Sequence, residues 1–300
     1  MEYEVKDIIK YKTVKDVLRK KFKLSQNMIL KLKTENRIYV NNLSQNVNHN
    51  IKIGDIIKID FDFVEKCDNI IATEIKLDIL YEDEHFLIVD KPAKIPTHPS
   101  AFNPDKTLAN GVKWYFESIG LNKKIRPVNR LDKDTSGVII FAKNQYVQEQ
   151  LVKQMKDNIM QKEYIAVVDG VITDYNTKDY NSIEEKIARK EGSILERCID
   201  NENGVYAKTL YKILETSKKE NISVVLLKLE TGRTHQIRVH LKHLGYPILG
   251  DTLYGIESDK INRQALHSYI TTFVHPITEK KMEIVAPIPK DIFKLYNKEN

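Results

Sequence analysis

The side chains of this chain best suited to chemistry fall in three short segments. Residues 126–141, Arg-Pro-Val-Asn-Arg-Leu-Asp-Lys-Asp-Thr-Ser-Gly-Val-Ile-Ile-Phe, lead a loop rich in Asp, Thr, Ser and Gly straight into a buried strand. A loop so placed holds a reactive group at the edge of a rigid sheet. Asp132 lies between Arg130 and Lys133, and flanking cations keep a carboxylate ionised, which suits a nucleophile. Residues 229–246 end a strand at Thr231-Gly232 and begin a helix near Thr234, with Ile237, Leu241 and Leu244 as its apolar stripe. Arg233, Gln236 and His240 share another face, and a guanidinium at a helix start can pair bidentately with a carboxylate or a phosphate. Residues 161–170 place Tyr164 at the opening of a strand, where a tyrosine by itself reads as core.

Other chemistries fit these residues less well. Asp132-x-Asp134-x-Ser136-Gly137 matches the opening of a calcium loop, but Lys143 stands where the twelfth position needs a bidentate Glu. A purely structural turn accounts for the loop composition and for nothing else in the segment. A glycosidase-like pair from Asp132 and Asp134 suffers because alternate residues of an extended loop point opposite ways. His235, His240 and His243 lack an HExxH arrangement and have Arg238 among them, so no metal site is expected. Gly232-Arg233-Thr234 lacks the spaced glycines of a phosphate loop.

The elements that position these residues divide into two sets. Between Thr13 and Leu32, Val14, Val17 and Leu18, then Leu24, Met28, Ile29 and Leu32, recur at helical spacing, with Ser25 placed to cap a second helix. Strand-like stretches follow at 37–42 and 53–59, the second opened by Gly54-Asp55, and together these make a small αα-ββ module over residues 1–65. Residues 66–79, with Lys66, Cys67 and Asp68, read as a linker. From residue 80 to residue 300 strands are expected near 86–90, 137–142, 164–168, 207–211 and 222–229, and helices near 106–119, 145–158 and 234–244. Because strands dominate without strict alternation, the fold class is α+β, with a mixed, largely antiparallel sheet in the larger domain.

Composition narrows the function. Thirteen Lys/Arg against seven Asp/Glu fall within residues 1–60, and 35 of each in the remainder, so the whole net charge of +6 sits in the first fifth of the chain. A local basic surface attracts polyanions by counterion release, which makes nucleic acid a natural partner. Cys67 and Cys198 have no cysteine or histidine companions at metal spacing, and no apolar run approaches a membrane span. A cytoplasmic protein with reduced thiols is therefore expected.

Residues 11–60 resemble the small RNA-binding module named after a ribosomal protein of the small subunit, through Leu24-Ser25, Lys31, Lys33, Arg37-Ile38-Tyr39-Val40-Asn41 and Gly54-Asp55. Asn36 stands where that pattern usually has Gly, a substitution open to Asn because it tolerates the left-handed conformation. From Tyr81 to Pro289 the chain closely resembles the RluA family of pseudouridine synthases. The motifs, in order, are Tyr81 to Pro92 with His98-Pro99, Asn129-Arg130-Leu131-Asp132-Lys133-Asp134-Thr135-Ser136-Gly137, Lys162 to Gly170, and Gly232 to His240.

The resemblance implies a cofactor-free isomerase that breaks the bond between uracil N1 and ribose C1′ of a flipped-out uridine and rejoins the base through C5. It assigns the catalytic carboxylate to Asp132, acting at C1′ as nucleophile or at C2′ as base. Arg233 is expected to pair with that carboxylate, Arg238 being the second choice, and Tyr164 to stack on the base and help remove the C5 proton. Arg130 is expected to fill the space the base leaves. Asn129, where the family more often has His, Gln236 and Arg238 join it in contacting RNA, and Lys31, Lys33 and Arg37, with Arg19, Lys20, Lys21 and Lys23, are expected to hold phosphates. The implied partner is structured RNA, ribosomal RNA ahead of transfer RNA, bound by a monomer. The rivals are an RNA-binding assembly factor without catalysis, which the presence of Asp132, Tyr164 and Arg233 opposes, and a glycoside hydrolase, which the RNA-binding module opposes.

Overall fold

The first sixty residues fold as their apolar spacing dictates. In the computed structural model, which describes residues 1–297 apart from Val64, Lys66, Asp68, 174–178 and Ile256, the chain opens with strand β1 (Glu2–Glu4). Helix α1 (Val14–Asp16) starts at a reciprocal cap between Thr13 and Asp16 and continues as a π-wound turn over Val17–Lys21. Ser25 caps α2 (Gln26–Thr34) by accepting from the Met28 N–H at 3.2 Å, as anticipated. The strands β2 (Ile38–Val40), β3 (Leu43–Ser44) and β4 (Ile56–Ile59) join β1 in a four-stranded antiparallel sheet ordered β1-β4-β2-β3.

The strand expected at 37–42 ends at Val40 because Asn41 and Asn42 both take positive φ and turn the chain into β3, the hairpin geometry asparagine supports. Asn36 is left-handed as well, at φ 53°. β1 was not anticipated. Its three residues, Glu-Tyr-Glu, carry no apolar run, and they become a strand only by pairing with the edge of β4.

The larger sheet is built from β5 (Asp78–Glu82), β6 (Phe86–Lys91), β7 (Arg126–Pro127), β8 (Ser136–Ala142), β9 (Gln161–Asp169), β10 (Asn181–Arg189), β11 (Arg197–Ile199), β12 (Val205–Ser217), β13 (Ile222–Leu229), β14 (Leu266–Val274) and β15 (Lys281–Val285). Its main path runs β11-β10-β12-β13-β9-β14-β8-β6-β5, with β15 on β14 and β7 on β8. The β14·β8 pair, His267 opposite Ser136, is parallel and the other pairs are antiparallel, so the mixed, largely antiparallel α+β expectation holds. Helices α3 (Leu108–Ser118), α4 (Gln145–Lys156), α5 (Gln236–His243) and α6 (Lys290–Tyr296) flank it.

The apolar runs of β6 and β8 follow from burial on both faces. Leu87, Val89, Ile139 and Phe141 point into one core, whereas Phe86, Ile88, Val138 and Ile140 point into another, shared with α4 and the N-terminal module. Phe61 stacks on Tyr146 of α4, ring centroids 4.7 Å apart. Arg126 grips the buried Glu65 bidentately at 2.5 and 2.6 Å, Lys31 approaches the same carboxylate at 3.4 Å, and Lys123 pairs with Asp62. The small module is thus packed against the large sheet rather than tethered to it. Of the linker expected at 66–79, Lys66 and Asp68 lie outside the described residues, and its last two residues belong to β5.

Candidate active site

The loop between β7 and β8 is held by its backbone, which frees its side chains for other work. Thr97 Oγ1 donates to the Leu131 carbonyl, the buried Lys91 ammonium to the Lys133 carbonyl at 2.8 Å, and Arg263 to the Asp134 carbonyl. Arg263 is itself clamped bidentately by Asp291 at 2.7 and 2.9 Å, and Gln264 donates to Thr135. At the loop's end Ser136 Oγ meets His267 Nδ1 at 2.9 Å. Gly137, at φ 114°, lies so close to β14 that a Cβ there would stand 2.1 Å from the Ser268 carbonyl. Only glycine lets β8 run beside β14 at this point, and that contact sets where the loop sits over the sheet.

Asp132 projects from this loop into a cavity of about 710 Å3, lined also by Arg130, Lys162, Tyr164, Arg233 and His235. Its Oδ2 accepts from Arg238 Nη1 at 3.1 Å. The guanidinium of Arg238 is buried and fixed from behind: its Nε and Nη2 donate to Asp251 at 2.7 and 2.8 Å, and its Cζ lies 4.8 Å over the Tyr254 ring. Asp251 is 1% exposed and also accepts the N–H groups of Leu253 and Tyr254. Burial alone would push Arg238 toward losing its proton, but its two carboxylates hold its pKa above the usual value. One fork of the arginine is thus spent on a rigid anchor and the other on Asp132.

The expectation that Arg233 pairs with Asp132 is corrected. Arg233 is exposed, and its Nε donates to the Tyr206 carbonyl at 3.1 Å. Arg233 precedes α5, which begins at Gln236, whereas Arg238 lies in the first turn of the helix and is the one carried under the loop. The residue preceding the helix, His235, is left-handed at φ 57° and reaches within 3.8 Å of Asp132 Oδ2 through Nε2. Its Nδ1 lies 2.8 Å from the Tyr254 hydroxyl, which accepts from the Arg197 N–H. The His235 ring thus spans from the Tyr254 hydroxyl to the neighbourhood of Asp132. Burial holds the His235 pKa below the ordinary value against the pull of Asp132.

Tyr164 is where the sequence placed it, buried on β9 and facing the same cavity. Burial, with the Asp132 charge adding to it, pushes its phenol up to about 12. Arg130 is exposed at the rim beside His98, whose pKa is lowered by burial and then by that guanidinium. Two RNA-contacting assignments are corrected. Asn129 is buried, donates to the Val138 carbonyl and accepts from the Ile140 N–H, so its amide ties the loop to β8. Gln236 accepts from Thr231 Oγ1 and the Arg233 N–H and donates to Lys208 and Thr209, so it closes the turn before α5 onto β12.

In the module, Lys31 and Arg37 are engaged with Glu65 and Asp60, which corrects their assignment to phosphates, whereas Lys33 is exposed. Arg19, Lys20, Lys21 and Lys23 are exposed together around the π-wound turn. The three histidines of the 235–243 segment have separate surroundings, with His240 Nδ1 on Thr209 and His243 near Glu185.

The sequence reading did not single out Asp251, Tyr254 or Arg263, weighed His235 only as a metal ligand, and quoted Lys91 within a motif without giving it a role. Asp251 lies 13 residues beyond its partner Arg238, after a chain reversal at Gly250, and only that reversal brings it under α5.

Residues 85–243 match the model of a family described as RNA pseudouridylate synthase. The chain is 39% identical over 279 residues to the uncharacterised RNA pseudouridine synthase YhcT of Bacillus subtilis (strain 168), covering 93% of this chain and 90% of the relative. It is 36% identical over 239 residues, 75% of this chain and 72% of the relative, to ribosomal large subunit pseudouridine synthase D of Pseudomonas aeruginosa. Among solved structures, human RNA pseudouridylate synthase domain containing 1 superposes with a TM-score of 0.59 at 28% identity, over 71% of this chain and 83% of the human one.

Proposed function

The chain belongs to the RNA pseudouridylate synthase family, as an RNA-modifying enzyme that isomerises uridine to pseudouridine, and from that premise we propose that Asp132 is its catalytic carboxylate and ribosomal RNA of the large subunit its substrate. The observation that carries the catalytic assignment is the Asp251–Arg238–Asp132 chain, which fixes one carboxylate in the wall of a cavity large enough for a nucleoside. Asp132 acts on the ribose, at C1′ or at the C2′ proton. Arg238, anchored on Asp251, orients it, and the His235 ring lies beside it.

Tyr164 keeps its proton at neutral pH, since its phenol sits near 12. It therefore works as a neutral ring on which the base stacks, with its hydroxyl relaying the C5 proton to water rather than taking it as a standing phenolate. Arg130, exposed at the rim, is placed to enter the stack when the target nucleotide swings out, a step that costs a few kcal/mol. Phosphate contacts fall to the exposed Arg19, Lys20, Lys21, Lys23 and Lys33 of the N-terminal module. They add affinity with little base specificity.

The choice of ribosomal RNA rests on the named activity of the Pseudomonas relative and on the basic module that precedes the catalytic domain. Wild type and Asp132→Ala are to be incubated with ribosomal and transfer RNA lacking pseudouridine, and products mapped by carbodiimide-dependent reverse-transcription stops. Stops in large-subunit RNA with wild type alone are the expected result. Stops confined to transfer RNA would move the substrate, and stops persisting in Asp132→Ala would remove Asp132 from the chemistry.

A further inference from the structure

Lys162 lies on β9 two residues before Tyr164, so both side chains leave the same face of the strand, and both line the cavity that holds Asp132. Of the cavity's cations that have no carboxylate partner among the described residues, Arg130, Lys156 and Arg233 are exposed to solvent, whereas Lys162 is half-buried. Among the described residues, no carboxylate forms an ion pair with Lys162 and no hydrogen bond engages its ammonium, whereas Arg238 is shared by Asp132 and Asp251 and Arg233 is bonded to Tyr206. Its Nζ lies by the Thr231-Gly232 turn of the cavity wall, 3.9 Å from where a Cβ on Gly232 would stand. Burial lowers the lysine's pKa, with no neighbouring charge named as opposing it. A desolvated ammonium left without a partner is costly, and in an enzyme cavity that arrangement fits an anion supplied by the substrate.

We propose that Lys162 is a further catalytic residue, an ammonium that stabilises the negative charge on the uracil ring when the glycosidic bond breaks. The inference rests on the pseudouridine synthase reading above. When the bond between N1 and C1′ breaks heterolytically, its electron pair stays with the base and is delocalised over N1, O2 and O4. At the sugar, either the Asp132 carboxylate bonds to C1′ or the C2′ proton passes to that carboxylate as a double bond forms between C1′ and C2′. The uracil anion then turns, and C5 bonds to C1′ either as the Asp132–C1′ bond breaks and its electron pair returns to the carboxylate, or as the proton held by Asp132 returns to C2′; the C5 proton is then lost as N1 gains one. No redox partner is needed. A cation on the Tyr164 side of the cavity meets this charge and is not consumed. A backbone phosphate beside the flipped nucleotide is the competing anion, and it predicts a different defect.

The test compares wild type, Lys162→Met and Lys162→Arg, with Asp132→Ala as the inactive reference, on a substrate RNA stem-loop. Affinity is measured by filter binding and bond breakage by single-turnover kinetics at saturating enzyme. With the charge lost, the single-turnover rate is expected to fall by roughly 10²–10³, the usual effect of removing one preorganised stabiliser of a developing anion, with Kd within about threefold and with partial recovery in Lys162→Arg. Replacing the target uridine by 5-fluorouridine, whose base is a better leaving group, is expected to shrink the gap between wild type and Lys162→Met. An unchanged rate in Lys162→Met, a weakened Kd with normal rate, or a defect that 5-fluorouridine leaves untouched would each overturn the proposal. Thermal melting identifies a variant that fails to fold, in which case Lys162→Arg and the fluorouridine comparison on wild type and Lys162→Arg decide. Inactivity of the wild type itself would strike the underlying reading instead.

Discussion

At the scale of single residues, the site is a relay of anchored charges. Asp132 is held by an arginine that is itself held by Asp251, and removing the far anchor leaves the guanidinium free to leave the near one. Asp251→Asn is therefore expected to lower the turnover rate by about 10-fold to 100-fold, the range seen when outer partners of a site's ligands are lost, and to destabilise the fold by about 3–5 kcal/mol because a buried ion pair is broken. Arg233→Met, which leaves Asp132 and its partners untouched, is expected to retain thermal stability within about 0.5 kcal/mol. Rates and urea midpoints measured side by side on the two variants check the assignment; equal losses of stability would contradict it.

At the scale of elements, the crossing of β8 and β14 governs where the loop lies. Gly137→Ala would push a methyl group into the Ser268 carbonyl at a positive φ, and more than about 4 kcal/mol of destabilisation is expected in urea denaturation. The same crossing carries a pH dependence. Burial lowers His267, which meets Ser136, to about 4, and His240 of α5 likewise to about 4. Both are neutral in the folded state and charge more readily when unfolded. Their stabilising contribution is thus present above about pH 6.5 and lost as pH falls toward 4, on the order of 3 kcal/mol each. Urea midpoints at pH 7.5 and 4.5 measure this fall, and His267→Asn is expected to show a shallower one.

At the scale of the whole molecule, the N-terminal module and the large sheet share a core, and Glu65 with Arg126 is buried where they meet. Arg126→Met leaves the Glu65 charge in that interior and is expected to cost about 3–5 kcal/mol, while the double change with Glu65→Leu recovers a large part of it. A double-mutant cycle in urea reads the coupling. Because the module is packed rather than tethered, its exposed basic turn keeps a set position relative to the cavity. Among the described residues, no helix is long and apolar enough to cross a membrane.

The sequence by itself determined the local elements and pointed to the loop that lines the cavity. Ser25 announced α2, the apolar runs announced β6, β8 and β9, and the dense segment around Asp132 announced the site, because capping, burial and loop chemistry are written in residues a few positions apart. The tertiary structure decided which side chains meet. The placement of α5 under the loop selected Arg238 over Arg233, a chain reversal brought Asp251 beneath it, and backbone hydrogen bonding drew Asn129 and Gln236 into the framework. Those outcomes depend on contacts between segments tens of residues apart, such as the 106 positions between Asp132 and Arg238, and no local spacing encodes them.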